Sequence, residues 1–368
     1  MADGRQGRGF RVVDAGIRNG RFNIALDQAM IELHQAGKIP DTLRFIHFPP
    51  TALVGRHQVL GRELDLSYCA NHGIGVARRI TGGGAIYMDP GQLGWALVFD
   101  RRTLAAGSLA GVAQAICEAV AAGLSGFGLD ARFRPRNDIE VDGRKISGTG
   151  GFFDGDTLIY QGTVLVDTDP EQMSAALRVP SAKLERHAVA SVSQRVVSLR
   201  QLLGDATPPM ETVQSALLAG FAGSLGLDFR QAPLDERELA LARQLFDAEI
   251  GRDEFVHEID EPAADAAFRT GSCACPGGTV TAMVRFEGRV ADRIGQVLFS
   301  GDFFVAPPRV VFDLEAALKG LSTAEAGPAV ERFFTGRELA ALSVTPADFR
   351  EALETALRGR STPGGLQT

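Results

Sequence analysis

Apolar positions recur at two spacings along this chain. Leu26, Met30 and Leu33 follow helical spacing, with Asn23 as a candidate cap and a stop near Gly37. Short apolar runs at 42–48, 52–55, 73–80 and 93–99 read as strands. Residues 108–124 return to the helical period behind Ser108. Runs at 137–141, 144–148 and 157–166 are strand-like and are separated by Asp142-Gly143 and Asp154-Gly155, both strong turn pairs. Helical patterns dominate 170–247. After Glu261-Pro262 a hairpin over 279–299 turns at Glu287-Gly288, and helices follow near 309–318, 323–334 and 346–358. Runs of strands and runs of helices without steady alternation predict an α+β fold in two domains. The expected boundaries are 10–247 and 252–358, with flexible tails at 1–9 and 359–368.

The chain's 368 residues suit a large unit plus a small one. No apolar run is long enough to span a membrane, and the N-terminus has no apolar core of a secretory signal. A cytoplasmic protein is expected. The net charge of -7 argues against a general nucleic-acid binder. Cys69, Cys117, Cys273 and Cys275 read as reduced thiols. Cys273-Ala274-Cys275 reads as small residues in a Gly-rich turn, because zinc needs four ligands. Lysine is scarce: Lys38, Lys145, Lys183 and Lys319 stand against 34 arginines, so a lysine beside glycines draws notice.

Two stretches concentrate candidate chemistry. In RRITGGGAIYMDPG (78–91), three glycines let a ligand lie on bare backbone, and amides in such a turn can hold an anion. The preceding arginines could add donors for phosphate or carboxylate; the alternative is a flexible turn. It is neither a P-loop nor a dinucleotide fingerprint. In RNDIEVDGRKISGTGGFF (136–153), Lys145 follows a tight turn and precedes Gly148, Gly150 and Gly151. It can stabilise a phosphate or developing oxyanion, or simply be a solvated strand lysine. His57, His72 and His187 read as surface or core histidines, and Trp95 as core packing.

Together these stretches resemble the lipoate–protein ligase family. RRITGGGAIYMD looks like its RRxSGGGAVYHD signature, and PRNDIEVDGRKISGTG like its GRNDIxVxGKKISGSA signature. VGRHQ (54–58), LIYQGTVLVDTD and ASVSQRVVSLRQLL (190–203) resemble further blocks in the same order. The C-terminal region, from GSCACPGG to Phe333-Phe334, resembles the family's small accessory domain, which the family needs to activate a free acid.

The resemblance implies the α+β biotin/lipoate ligase type of fold with a large mixed sheet, ATP and Mg²⁺ as cofactors, lipoate as substrate, and a lipoyl-domain protein as acceptor partner. Neither nucleic acid nor membrane is implied. Lipoate would be activated to lipoyl-AMP and passed to an acceptor lysine. Lys145 would act on the carbonyl and phosphate oxygens. Arg79 and Gly82, Gly83 and Gly84 would border the adenylate, continued by Ala85, Ile86 and Tyr87. Asn137 and Asp138 would face the nucleotide, Asp138 holding the metal. Arg56, Arg78, Thr81, Ser147, Gly148, Gly162 and Thr163 complete the implied contacts. Met88, Gln92, Gly94 and Gln161 depart from the family pattern. Competing readings are an octanoyl or lipoyl acyltransferase, against which the absence of a cysteine between Cys117 and Cys273 counts, and a non-catalytic lipoyl-binding module.

Overall fold

A computed structural model describes residues 8–104, 108–178, 195–260, 268–288, 292–337, 340–342 and 344–359. The first helix runs Gly20–Gln35, its start four residues earlier than a cap at Asn23 would set it. Its cap is Asn19, whose side chain accepts from the amides of Arg21 and Phe22. Asn23 instead lies inside the helix, buried, and its Nδ2 donates to the carbonyls of Arg18 and His47. The helix Leu109–Ser125 starts where expected, with the Ser108 side chain accepting from the Gly111 amide.

Eight strands form one mixed sheet. β1 (Arg8–Ile17) pairs in parallel with β2 (Thr42–His47). β2 pairs antiparallel with β6 (Gln92–Asp100). From β6 the sheet continues antiparallel through β10 (Thr157–Leu165), β9 (Arg144–Asp154), β8 (Asp138–Val141) and β7 (Arg132–Arg134). β11 (Leu227–Gln231) closes the other edge in parallel beside β1. Thus the strand β1 begins inside the stretch expected to be a tail, and β11 interrupts the stretch expected to be helical. A small sheet of β3 (Thr51–Val54), β4 (Gly75–Arg78) and β5 (Ile86–Met88) stands beside the large one, with β3 central.

One face of the large sheet packs on the helices Leu109–Ser125 and Met210–Leu225, around Trp95, Phe99, Ile116 and Phe221. The other packs on the helices Gly20–Gln35 and Glu236–Leu245. The helical stretch Asp253–Val256 joins these cores through Phe255 and Val256, so the chain stays with the large unit past the boundary expected at 252.

A second core gathers around β12 (Phe268–Cys275), β13 (Gly278–Glu287) and β14 (Arg293–Gly301), an antiparallel sheet. The helices Val310–Leu318, Thr323–Phe334 and Pro346–Arg358 appear as the sequence predicts. Capping boxes at Ser322/Glu325 and Thr345/Asp348 satisfy the amides at two of their starts. Phe349 sits at this core's centre, edge-on to Phe299 and Phe303. Cys273 and Cys275 belong to β12 and not to a turn. β15 (Phe304–Ala306) pairs with β16 (Ala340–Leu342), and Phe304 reaches back to the large unit. The C-terminal segment 361–368, expected to be disordered, lies outside the described residues.

Candidate functional site

A cavity of about 610 Å³ opens between the large sheet, the small sheet and the helix Gly20–Gln35. Of the residues singled out in the sequence, Arg79, Thr81, Gly82, Gly83, Gly84, Ala85, Ile86, Tyr87, Asn137, Asp138, Lys145, Gly148, Gly162 and Thr163 line it. Two segments distant in sequence are therefore brought to one cavity.

The glycine loop joins β4 to β5. Arg79 is folded beneath it, its guanidinium donating to the carbonyls of Leu53, Gly82 and Gly84 at 3.3, 3.1 and 2.8 Å. It braces the loop's shape, and burial holds its pKa down to about 10. Arg78 does not line the cavity. Its side chain is buried and donates to the carbonyls of Gly55, Arg56, Gln58, Phe255, Val256 and Ile259. The expectation that both arginines offer open donors to an anion is corrected. Arg78 spends its donors on backbone carbonyls, and Arg79 spends most of them so.

Arg56 and Ser147 also stand outside the cavity wall. Arg56 pairs with Glu258 at 2.5 Å and lies over the rings of Phe255 and Phe312. Ser147 is buried, and its hydroxyl has no hydrogen-bond partner among the described residues.

The space left by the glycines is partly filled by the second unit. The Gly83 amide donates to the Phe303 carbonyl, and a Cβ at Gly83 would come 2.5 Å from Phe304 Cζ. A Cβ at Gly150, across the cavity, would meet the same ring atom at 2.5 Å. A Cβ at Gly84, by contrast, would find no atom closer than 4.0 Å. Gly83 has φ +94°, a conformation that a side chain disfavours.

Opposite the loop, Asp142 and Gly143 both take positive φ, making the tight turn that swings β9 back against β8. The turn sets Lys145 Nζ 2.7 Å from Asp138 Oδ1, while Arg134 reaches Asp138 Oδ2 at 3.1 Å. Gly148 makes room: a Cβ there would lie 2.5 Å from Lys145 Nζ. Asn137 is pinned through its backbone carbonyl, which accepts from the Thr149 amide and hydroxyl at 2.9 Å each. Arg134 also reaches Glu140 Oε2 at 3.4 Å, so the two cations Lys145 and Arg134 are matched by two carboxylates. Arg195 lines the same cavity, with its Nε unpartnered among the described residues. It was not singled out as a site residue, although its Ser-Val-x-x-Arg-Val segment carried part of the resemblance.

Tyr87 is buried, and its hydroxyl donates to Gln172. Gln92 is buried behind it, donating to the Tyr87 carbonyl and the Thr168 hydroxyl. Gly162 faces the Trp95 indole. The remaining wall is largely apolar, including Ile24, Ile46, Phe48, Leu53 and Met88, but carries Asp27 and Gln161. No cysteine lines the cavity. Cys117 is buried behind Thr149, its sulfur 3.2 Å from the hydroxyl, and burial pushes its thiol pKa up. Among the described residues no group of three metal-ligating side chains occurs, and no helix is long and apolar enough to cross a membrane.

Residues 19–222 match the lipoyl protein ligase A/B catalytic domain. Lipoate-protein ligase A subunit 1 of Thermoplasma acidophilum is 32% identical over 64% of this chain and 92% of its own length. Octanoyltransferase LipM of Kyrpidia tusciae is 30% identical over 64% of this chain and 94% of its own. A crystal structure of lipoate-protein ligase A bound with ATP superposes with TM-score 0.60 at 30% identity, covering 68% of this chain and 99% of that one. The fold of P. falciparum LipL1 in complex with lipoate extends the likeness to 90% of this chain and 95% of its own, with TM-score 0.68 at 16% identity. The α+β architecture with its large mixed sheet is thus that of the lipoate ligases, and the chain belongs to the family of the lipoyl protein ligase A/B catalytic domain.

Proposed function

We propose that this chain is an ATP-dependent lipoate–protein ligase. The observation that carries the reading is a cavity with Lys145 beside the Asp138 carboxylate, a glycine loop opposite, and no thiol in its wall. In the first step a lipoate carboxylate oxygen attacks the α-phosphorus of ATP. An acyl–phosphate bond forms and pyrophosphate leaves. In the second, the amine of an acceptor lysine attacks the acyl carbon, AMP leaves, and the amine's proton passes to water or a phosphate oxygen.

Lys145 serves both steps electrostatically. An ammonium 4 Å from a charged oxygen is worth about 4 kcal/mol at an effective dielectric near 20. Gly84 leaves bare backbone for the nucleotide, and Arg79 holds the loop in shape. Arg195 adds a guanidinium at the same cavity. Mg²⁺ bound through phosphates needs as little as one protein carboxylate, and Asp138 would be that ligand, giving up its contact with Lys145 or Arg134 to the metal; the donor set fits a metal carried in with the nucleotide and not a preformed cage. The region from 268 to 358 acts as the accessory domain, beside a catalytic domain that runs from 10 through the helical stretch Asp253–Val256.

Octanoyl transfer is the second reading, because relatives at about the same identity carry that name. A thioester route needs an accessible thiolate, and every cysteine here is away from the cavity wall. Incubating the protein with ATP, lipoate and a lipoyl-domain protein, and weighing the acceptor, tests the proposal. The acceptor should gain one lipoyl group. Modification only from an octanoyl-carrier donor, with none from free acid and ATP, would establish the transferase instead.

A further inference from the structure

Asp27 is a buried carboxylate in the wall of a cavity whose neighbouring lining is apolar. Arg44 Nη1 donates to its Oδ1 at 2.6 Å, and Gln161 Nε2 donates to its Oδ2 at 2.6 Å. Arg44 is itself fully buried and also donates to the Asn23 carbonyl at 3.1 Å. Burial pushes the Asp27 pKa up and the Arg44 guanidinium at 2.6 Å opposes that rise; paired with Arg44 as a carboxylate, Asp27 only accepts, which sets the Gln161 amide with its nitrogen toward it. Gln161 Oε1 is thereby left over, with no partner among the described residues, on a side chain that lines the cavity. Gln161 lies opposite Gly150, five positions along β9 from Lys145. At strand rise that is roughly 16 Å. With the long lysine stem at one end, it leaves room for a medium-length chain whose carboxylate meets Lys145.

We propose that Gln161, positioned by Asp27, selects acids whose tail carries a hydrogen-bond donor, a thiol or hydroxyl, over a plain alkyl acid of the same length. The inference rests on the ligase reading for the identity of the substrate acid. A methyl-ended tail covers Gln161 Oε1 without replacing its hydrogen bond to water, whereas a donor-bearing tail does replace it. Leaving a buried acceptor unmet weakens binding by a factor of about 10. Dihydrolipoate, with two S–H groups, satisfies this requirement; octanoate and the closed dithiolane of lipoate carry no donor, so of the two redox forms of the ligase substrate the dithiol binds more tightly.

Calorimetric titration of the full chain with dihydrolipoate under reductant, 8-hydroxyoctanoate and octanoate, without ATP, reads the ranking directly. Dihydrolipoate and 8-hydroxyoctanoate should each bind about tenfold more tightly than octanoate. Gln161→Leu should bring all three within about twofold, chiefly by improving octanoate, and Gln161→Met should do the same if the leucine variant is poorly folded. Tighter binding of only one donor-bearing acid identifies which donor the wall accepts and supports the proposal. Equal binding of all three acids by the wild type, binding of none, or a preference that survives both variants would overturn it. Because the titration omits ATP and acceptor, a failed ligation reaction leaves this ranking readable.

Discussion

The Gly83 amide donates to the Phe303 carbonyl at 3.2 Å, joining the glycine loop of the large unit to the C-terminal region. Phe304 follows, with its ring in the space that side chains at Gly83 and Gly150 would need. The glycines read in the sequence as room for a ligand thus also make room for an aromatic ring from the other unit. Gly150→Ala should destabilise the protein by about 1–3 kcal/mol through overpacking. Adding Phe304→Ala should recover most of that loss, a coupling that a double-mutant cycle by urea denaturation measures. Additive losses would mean that the ring and the glycine do not meet in solution.

Lys145 stands 2.7 Å from Asp138 on the cavity wall. Lys145→Gln removes the charge while Arg134 continues to hold the carboxylate. Lipoate-dependent pyrophosphate release should fall by roughly 10²–10³-fold, the usual loss for a preorganised donor, with unchanged thermal stability. Release within a few-fold of wild type would remove Lys145 from the chemistry.

Arg78 tests the reassignment made by the structure. Its guanidinium serves six backbone carbonyls and does not line the cavity. Arg78→Ala should therefore cost at least about 3 kcal/mol in urea unfolding, since each stranded buried acceptor costs about 1–3 kcal/mol. A fully stable variant that merely binds ATP more weakly would restore the phosphate-binding role.

Both halves of the cavity were legible because their chemistry is local: a glycine triplet and a lysine beside a tight turn stand out in any reading of the chain. Most helices were legible through their apolar period. β1 was not, because Phe10, Val12 and Val13 do not alternate and its partner β11 lies some 200 residues away; tertiary pairing makes it a strand. The true work of Arg78 was hidden for the same reason, as three of its acceptors lie near residue 256. Asp27 looks in sequence like an ordinary helix-surface carboxylate. Only folding brings Arg44 and Gln161 onto it.

His57 lies where the two units meet, stacked on Phe303 at 5.1 Å, and its carbonyl accepts from the Gly301 amide. Burial, with Arg56 and Arg78 nearby, pushes its pKa down to about 3. The unfolded chain takes up a proton near pH 6.5 that the folded chain refuses. Stability from this residue is therefore complete above pH 6.5 and is lost as pH falls toward 3, by at most about 1.4 kcal/mol per unit. His57→Phe should flatten the unfolding free energy between pH 6.5 and 5 relative to wild type. Parallel curves for the two proteins would show that His57 is protonated or exposed.

Formation of the acyl-adenylate is the central claim, and ATP–pyrophosphate exchange measures it most directly. Exchange should appear only when lipoate, or its dithiol form, is present with ATP and Mg²⁺, should need no acceptor protein, and should be nearly abolished in Lys145→Gln. Wild-type protein that binds the acid but exchanges no pyrophosphate would contradict the account.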